Sequence, residues 1–340
     1  MPDQIDIAVI GATGVVGEAL LDILSSRKFP VGKVYALASE RSAGESVAFA
    51  HRKLTVENLA TFDFSRVQIG FFSAGASVSA EYVPIAVAAG CVVVDNTSHF
   101  RKDDDVPLVV PEVNPEAIAG YKARGIIANP NCSTIQMVVA LKPIYDAVGI
   151  KRINVCTYQA VSGAGRAAVK ELVQQTTSML SGQALEVEGG ARQIAFNAVP
   201  HIDEFQENRY TREEMKMVWE TRKILGDDDL LINPTAVRIP VFFGHCEAIN
   251  IETRDKISAA ATSELLAKSP GIQVLDGVGL GQYPTPVTDS SGSDPVFVGR
   301  IREDISHPRG INLWVVADNI RKGAALNSVQ IAEILAKNYL

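Results

Sequence analysis

The feature that most constrains the fold is a glycine-rich turn directly after the first strand-like run. The run Ile5 to Gly11, IDIAVIG, is short, apolar and rich in β-branched residues, which is typical of a strand buried on both faces of a parallel sheet. GATGVVG then places Gly11, Gly14 and Gly17 three residues apart, and a helical pattern follows. Such a turn lets the backbone approach a pyrophosphate, which meets the N–H groups that begin the helix. The sequence therefore predicts a nucleotide-binding loop.

Strand-like and helical runs continue to alternate after this turn. The helical stretch VVGEALLDILSSR is followed by the strand-like KVYALAS and VQIGFFSAG, the helical SAEYVPIAVAAG, and the strand-like CVVVDNTS and GIIANP. This β-α-β order predicts a doubly wound, Rossmann-like α/β domain over residues 1–131.

The pattern changes beyond residue 131. Runs such as INVCTYQAV and GINLWVVADNI resemble strands with two unlike faces, and long amphipathic helices lie between them. We expect a second, α+β domain for catalysis and dimerisation over residues 132–319, with a more antiparallel sheet. The last helix, in residues 320–340, is expected to return to the first domain. One helix start is well marked, because Thr211 and Glu214 have the spacing of a capping box.

Composition excludes several classes of partner. The chain has 340 residues, is 47% hydrophobic and has a formal net charge of -7, which indicates a globular protein and disfavours a nucleic-acid partner. No apolar stretch reaches the roughly 18 residues that span a bilayer, and the N-terminus lacks a signal-peptide pattern. Four cysteines without metal or redox spacing predict no metal site and a reducing, cytoplasmic setting.

The end of the second strand-like run, ASERSAG, bears on the cofactor. An acidic residue at this place commonly binds the ribose 2′-hydroxyl of NAD, whereas an arginine accommodates the 2′-phosphate of NADP. Glu40 and Arg41 are both present, and Ser42 beside Arg41 is typical of a phosphate pocket. We therefore expect NADP(H), with a solvated surface pair as the alternative.

Cys132 is the candidate nucleophile. It lies in the polar stretch ANPNCST, just where a helical pattern starts at Ser133. The N–H groups of a helix start stabilise a thiolate and lower the pKa of the thiol, and with the Asn131 amide they are expected to hold an oxyanion. A structural cysteine remains the alternative, which is the interpretation that we favour for Cys91 and Cys156.

A cysteine nucleophile needs an acid or base. His245, in RIPVFFGH, follows an apolar strand seven residues after Arg238, so both are expected to open into one cavity. His99, in NTSHFR, is the competitor, and a structural histidine is a common alternative. Arg238 lies between apolar residues, where an unpaired charge is costly, so a functional anion partner is expected.

Two further basic residues are candidate anion ligands. Arg101 ends DNTSHFR, just beyond a predicted strand. Lys216 lies three residues after Glu213 on one helix face, which a solvated face explains equally well.

The motifs together resemble those of the bacterial aspartate-β-semialdehyde dehydrogenase family. In chain order they are GATGVVG, SAGAS, DNTSHFR, VPEVN, NPNCST, TYQAVSGAG, EEMK, RIPVFFGH and DNIRKGAALN, and they extend over essentially the whole chain. The resemblance implies NADPH-dependent reductive dephosphorylation of L-aspartyl-4-phosphate to L-aspartate-4-semialdehyde and phosphate. This reaction supplies lysine, methionine, threonine, isoleucine and diaminopimelate biosynthesis, and the family works as a homodimer.

The resemblance also implies roles for individual residues. Cys132 would be the nucleophile and His245 the general acid/base. Gln159 and Arg238 would hold the substrate, Arg238 at the α-carboxylate, with Glu213 near the ammonium group. The phosphate ligands would be Arg101 and Lys216. The cofactor site would be lined by Gly11, Thr13, Gly14, Val15, Val16, Arg41, Ser42, Ser162, Gly163 and Asn319.

Two other functions stay open at this stage. An N-acetyl-glutamyl-phosphate reductase shares the chemistry and general architecture, but an acetylated amine gives Glu213 no positive charge to bind. A catalytically silent paralogue that binds nucleotide or a partner protein is the other alternative. Loss of Cys132 would be its simplest sign, and Cys132 is present.

Overall fold

The computed structural model describes residues 4–27, 29–185 and 192–340. The chain divides into two compact units, one of Met1–Asn131 with Gly323–Leu340 and one of Cys132–Lys322. In the part of the chain that is described, no helix is long and apolar enough to cross a membrane.

The first unit is built on a seven-stranded sheet. Its strands are β1 (Ile5–Ile10), β2 (Val31–Ala38), β3 (Ser46–Phe49), β4 (Arg52–Asn58), β5 (Ile69–Phe72), β6 (Val92–Asp95) and β7 (Ile126–Ala128). They lie in the order β3-β4-β2-β1-β5-β6-β7, and every pairing except that of β3 with β4 is parallel. Its α-helices are α1 (Val15–Ser26), α2 (Ala76–Ala88) and, at the end of the chain, α7 (Leu326–Asn338).

One apolar core holds the central strands and two of these helices together. Ile7 and Val9 of β1 are fully buried in the same cluster as Leu20 of α1 and Val329 of α7. Burying such a side chain contributes about 1.5–3 kcal/mol relative to leaving it in water. This contact explains why the last helix belongs to the first unit, as the sequence predicted.

The turn between β1 and α1 requires glycine at two positions. Gly11 has a φ of +85°, a left-handed conformation that glycine adopts at little cost. A Cβ on Gly17 would lie 2.2 Å from the carbonyl oxygen of Gly11. The helix therefore starts in close contact with the turn, which leaves its first N–H groups at the end of the strand.

The second unit is built on a six-stranded sheet. Its strands are β8 (Ile150–Gln159), β9 (Leu231–Arg238), β10 (His245–Thr253), β11 (Ile272–Val274), β12 (Val296–Glu303) and β13 (Gly310–Ala317). They lie in the order β11-β12-β13-β10-β8-β9, and only the two edge pairings are parallel. Its α-helices are α3 (Cys132–Val148), α4 (Arg166–Leu180), α5 (Arg212–Leu225) and α6 (Ala259–Ala267). Helix α3 packs against β8, β10, β12 and β13.

These features confirm the predicted fold class, a doubly wound domain with an α+β domain. The run TAVRIPVFFGHCEAINIETR is two strands, because residues 239–244 separate β9 from β10 and Gly244 has a φ of +89°. The capping box at the start of α5 is also present, with Thr211 accepting from the Glu214 N–H and the Glu214 carboxylate accepting from the Thr211 N–H.

The clash at Gly17 generates a stability prediction. Gly17→Ala forces the new methyl group into the Gly11 carbonyl, so we expect a loss of roughly 1–3 kcal/mol in the free energy of unfolding. Gly120→Ala is the matched control, since a Cβ there would lie 3.6 Å from Pro107, an ordinary contact. Thermal unfolding of both variants measures the difference. Equal melting temperatures would contradict the tight packing of this turn.

Candidate active site

Cys132 is the first residue of α3, one position before the predicted start. The first N–H groups of a helix have no partner within the helix and carry a partial positive charge. The Cys132 side chain is half-buried, and it lies close enough to Arg238 for a thiolate to raise the pKa of that guanidinium. The position therefore suits a thiolate that is partly open to a ligand and close to a cation.

His245 is the first residue of β10 and is fully buried. The backbone N–H of Ala160 donates to Nδ1 at 3.0 Å, so Nδ1 is an acceptor and the hydrogen of the neutral ring is on Nε2. Burial, and then the positive charge of Arg238, lowers the pKa of His245 to about 3. His245 is consequently a neutral ring that presents an N–H donor at Nε2.

Gln159 ends β8 beside this donor. Its amide orientation is fixed, because the Thr157 hydroxyl donates to Oε1 at 2.9 Å and Nε2 donates to Oε1 of Glu213 at 3.1 Å. The Gln159 Nε2 also lies 3.5 Å from Nε2 of His245. Because both nitrogens carry hydrogens, they are two adjacent donors and not a hydrogen-bonded pair. Such a pair suits an oxygen that develops negative charge.

Arg238 ends β9 directly opposite Gln159 in the pairing of β8 with β9. Its Nη1 donates to the Ala160 carbonyl at 2.6 Å. Burial lowers the pKa of Arg238, while the charges of Glu213 and Cys132 act in the opposite direction. A Cβ on Gly163 would lie 3.3 Å from Nε2 of His245 and 3.4 Å from Nη1 of Arg238. The small residue at position 163 therefore leaves the space in front of both groups open.

A second charged cluster is formed at the start of α5. Lys216 Nζ donates to Oδ2 of Asp203 at 2.8 Å and to Oε2 of Glu213 at 3.0 Å. Burial pulls the pKa of Lys216 down, but the charge of Glu213 and the hydrogen bond to Asp203 outweigh it and raise the pKa. Burial raises the pKa of the Asp203 carboxyl, but the hydrogen bond from Lys216 and the charge of Lys216, together with weaker effects of Glu204 and Arg212, lower it overall. Lys216 is therefore a cation already neutralised by two carboxylates.

Asn319 fixes the backbone next to the histidine. Its Oδ1 accepts from the Gly244 N–H at 2.9 Å, and its Nδ2 donates to Oγ of Ser162 at 2.9 Å. These bonds join the turn before His245 to the turn after β8. Asn319 and Ser162 thus have a structural function here in addition to the cofactor contact that the resemblance implies.

The predicted cofactor residues of the first unit lie at its strand ends. Gly14 is the residue before α1, and Thr13, Val15 and Val16 adjoin it. Arg41 and Ser42 lie in the short 3-10 turn Glu40–Ser42 that follows β2. The carboxyl ends of adjacent parallel strands are where doubly wound sheets bind nucleotides.

Arg101 also belongs to the first unit and is nearly buried there. Its Nη2 donates to the Asn96 carbonyl at 2.8 Å, and its charge acts on the buried Asp95. The Asp95 carboxylate in turn accepts hydrogen bonds from Ser79 and Thr97. The arginine is thus held in place by the loop after β6.

No cluster of three or more His, Cys, Asp or Glu side chains that could hold a metal ion occurs in residues 4–27, 29–185 and 192–340.

Comparison with known proteins decides the family. Residues 6–121 match the family model of the semialdehyde dehydrogenase NAD binding domain, and residues 141–322 match that of the semialdehyde dehydrogenase dimerisation domain. The aspartate-semialdehyde dehydrogenase of Shewanella sp. (strain DB6705) is 58% identical over 339 residues, with 100% of each chain covered.

The chain belongs to the aspartate-semialdehyde dehydrogenase family. The resemblance inferred from the motifs is therefore confirmed, as is the prediction of an oxidoreductase of amino-acid biosynthesis.

Solved structures of the family agree with the fold. The crystal structure of aspartate semialdehyde dehydrogenase II from Vibrio cholerae complexed with ASA has a TM-score of 0.97 at 57% identity, and covers 99% of this chain and 100% of that one. The structure from Candida albicans with NADP has a TM-score of 0.78 at 28% identity, with 99% and 100% covered.

Among the residues that the family resemblance implies, the second unit brings one set together. Gln159, Glu213, Arg238 and His245 are linked by the contacts described above, and Cys132 acts on Arg238. Arg101, the glycine loop and Arg41 lie in the other unit. His99, the alternative base, is also there, in the loop after β6. The roles implied for all of these residues stay predictions.

Two residues of this site were missed by the sequence reasoning. Thr157 orients Gln159, and the signal was available, since residues two apart on a strand share a face. Asp203 binds Lys216 from a loop thirteen residues earlier, and no local pattern indicates that contact.

The state of His245 can be measured directly. A base with a pKa of about 3 stays neutral as the pH is lowered from about 8 to 5, because burial opposes its charging. In the unfolded chain, the His245 imidazole takes up a proton near pH 6.5. The folded state therefore loses stability relative to the unfolded chain as the pH falls from about 6.5 towards 3. NMR of the ring Cε1–H, assigned with His245→Gln, should show no titration above about pH 5. A midpoint near 6.5 would refute the buried neutral ring.

Proposed function

We propose that the enzyme converts L-aspartyl-4-phosphate and NADPH into L-aspartate-4-semialdehyde, phosphate and NADP, through a thioester on Cys132. The observation that carries the proposal is the pair of donors on Gln159 and His245, 3.5 Å apart, in the unit whose first helix begins at Cys132. A nucleophile and an oxyanion site in one unit are what acyl transfer needs.

The first step is acylation of the cysteine. The Cys132 thiolate attacks the carbonyl carbon of the acyl phosphate, and the phosphate leaves with the electrons of the broken C–O bond. The start of α3 and the charge of Arg238 stabilise the thiolate before attack.

The carbonyl oxygen is held throughout by hydrogen-bond donors. Gln159 Nε2 and His245 Nε2 donate to it as it gains negative charge, first in acylation and again in reduction. The Ala160 N–H keeps His245 in the tautomer that can donate. The proposed role of His245 is therefore that of an acid and hydrogen-bond donor, and it needs no charged imidazole in the empty enzyme.

The glycine loop of the first unit fits a dinucleotide. Its left-handed Gly11 and the absence of a side chain at Gly17 bring the start of α1 up to the strand end, where a pyrophosphate would bind. Arg41 would pair with the 2′-phosphate, in line with the relative from Candida albicans that was solved with NADP. When bound, NADPH supplies the hydride that reduces the thioester; Cys132 then leaves as the thiolate.

Two anionic groups of the substrate need separate partners. Arg238 is proposed for the α-carboxylate, since its planar guanidinium suits a bidentate contact, and the carboxylate of Glu213 for the ammonium group. Lys216 and Arg101 are proposed for the phosphate. A positively charged ammonium group opposite the buried Glu213 favours aspartyl phosphate over an N-acetylated substrate.

The second sheet is proposed to form the homodimer contact. Asn233, Asn154, Asn250 and Asn312 lie side by side across β9, β8, β10 and β13 on its half-exposed face. Hydrogen bonds join Asn233 to Asn154 and Asn250 to Asn312. The matched dimerisation domain, residues 141–322, contains all four, and a second copy is the occupant that we propose for this face.

We also propose that residues 1–131 with 320–340 form the cofactor domain and that residues 132–319 form the catalytic and dimerisation domain. The cytoplasm is the proposed location, in line with four cysteines that form no disulfide among the described residues.

An assay of the purified enzyme tests the function. Aspartate semialdehyde, phosphate and NADP are mixed, and NADPH formation is followed by its absorbance. Cys132→Ala should retain less than about a hundredth of the wild-type rate, yet still bind cofactor. Cys156→Ala, a half-buried cysteine on a strand, is the control and should stay active. A faster reaction with N-acetyl-glutamate semialdehyde, or an active Cys132→Ala, would overturn the proposal.

The division between the two anion sites generates a further prediction. Arg238→Ala should weaken transition-state binding in the reaction of the semialdehyde by about 2–4 kcal/mol. Lys216→Ala, in contrast, should mainly raise KM for phosphate. Asp203→Asn should lower KM for phosphate about fivefold, because it removes a carboxylate that competes with phosphate for Lys216. Steady-state kinetics with each substrate varied measures all three. Identical profiles for Arg238→Ala and Lys216→Ala would show that the assignment is wrong.

A further inference from the structure

A buried acid on β10 has no function in the mechanism described above. Glu247 lies two residues after His245 on the same strand, so both side chains point to the same face of the sheet. Glu247 is completely buried. Burial raises the pKa of its carboxyl well above the usual value, more than the nearby Gln136 lowers it. Burial therefore favours the neutral form of this carboxyl, which has one O–H donor.

A buried amide on α3 lies close to this acid. Gln136 follows Cys132 by four residues, which places it one turn further along the same face of the helix. It is also almost completely buried. The side-chain amide of Gln136 makes no hydrogen bond of normal length to any described residue, and neither does either carboxyl oxygen of Glu247. Gln136 is nevertheless close enough to lower the pKa of Glu247.

The residues opposite Glu247 on the two neighbouring strands do not offer it a hydrogen bond, which makes Gln136 the expected partner. Thr157, directly opposite on β8, gives its hydroxyl hydrogen to Gln159. Val315, opposite on β13, has no polar side chain. A polar group buried without a partner costs about 1–3 kcal/mol, so an acid and an amide that face each other across a core gain by pairing.

A neutral acid and a primary amide are complementary. The acid O–H donates to the amide oxygen, and the amide N–H donates to the acid carbonyl, which closes a ring of two hydrogen bonds. A carboxylate cannot form this ring, because it has no hydrogen to donate.

We propose that Glu247 and Gln136 form a hydrogen-bonded acid–amide pair that joins β10 to α3 one residue layer beneath His245 and Cys132, and so sets the distance between nucleophile and imidazole. Both are positioning residues, since they reach the reaction only through their neighbours. The proposal rests on the function assigned above to Cys132 and His245. Reacting groups must be placed closely, because a misplacement of about 1 Å can cost roughly a hundredfold in rate.

Exchange of the two groups is the decisive experiment. Gln136→Glu alone places two acids against each other and should lower kcat by at least about tenfold, with KM for phosphate and for NADP changed less than about twofold. The double variant Gln136→Glu with Glu247→Gln restores one acid and one amide, and should recover kcat to within about threefold of the wild type. Failure of the double variant to improve on Gln136→Glu would overturn the proposal.

Two readouts do not depend on turnover. The infrared band of a protonated carboxyl should be present in the wild type and lost in Glu247→Gln; its absence from the wild type would overturn the proposal. The rate at which iodoacetamide alkylates Cys132 should change in Glu247→Leu and stay near the wild-type rate in Glu247→Gln. These readouts remain decisive even if Cys132→Ala proves active and the proposed function fails.

Thr221→Val is the matched control. Thr221 is likewise buried with a hydroxyl that has no partner among the described residues, but it lies on α5 and not on the helix or the strand of the pair. Its substitution should alter thermal stability without changing Cys132 alkylation. If Thr221→Val changes the alkylation rate as much as Glu247→Leu does, the effect is a general one of core substitution and the proposal falls.

Discussion

Strand β8 runs parallel to β9 on one side and antiparallel to β10 on the other. This double pairing places Gln159 opposite Arg238 and brings the start of β10, with His245, next to the end of β8. The site depends on this register, since a slip by one residue turns each side chain to the opposite face of the sheet. The Ala160 backbone then serves both neighbours: its N–H holds the His245 ring, and its carbonyl holds Arg238.

The electrostatics of the site follow from burial combined with fixed partners. His245 is neutral because it is buried beside a guanidinium, and its tautomer is set by a backbone donor. Lys216 keeps its charge because two carboxylates offset the cost of burial. In the proposed mechanism, this arrangement holds the donors in position before the substrate arrives, so little reorganisation is needed when charge develops on the carbonyl oxygen.

The layer beneath the site is built on the same helix and strand as the site itself. Cys132 and Gln136 lie on one face of α3, and His245 and Glu247 on one face of β10. The proposed catalytic pair, Cys132 and His245, is thus carried on a helix and a strand, which hold a geometry more accurately than loops do. Polar groups in such a layer are costly unless they are paired, and that cost is the reason to expect a specific contact there.

The fold class, the glycine loop and the position of Cys132 near a helix start could all be predicted from the sequence. Each depends on local patterns: alternation of runs, spacing of glycines, and polar residues before a helix. The capping box at Thr211 was likewise readable from two residues. The relation of Thr157 to Gln159, and of Asp203 to Lys216, was decided only by the tertiary structure. So were the tautomer of His245 and the raised pKa of Glu247, because both depend on burial and on partners distant in the chain, which no local pattern specifies.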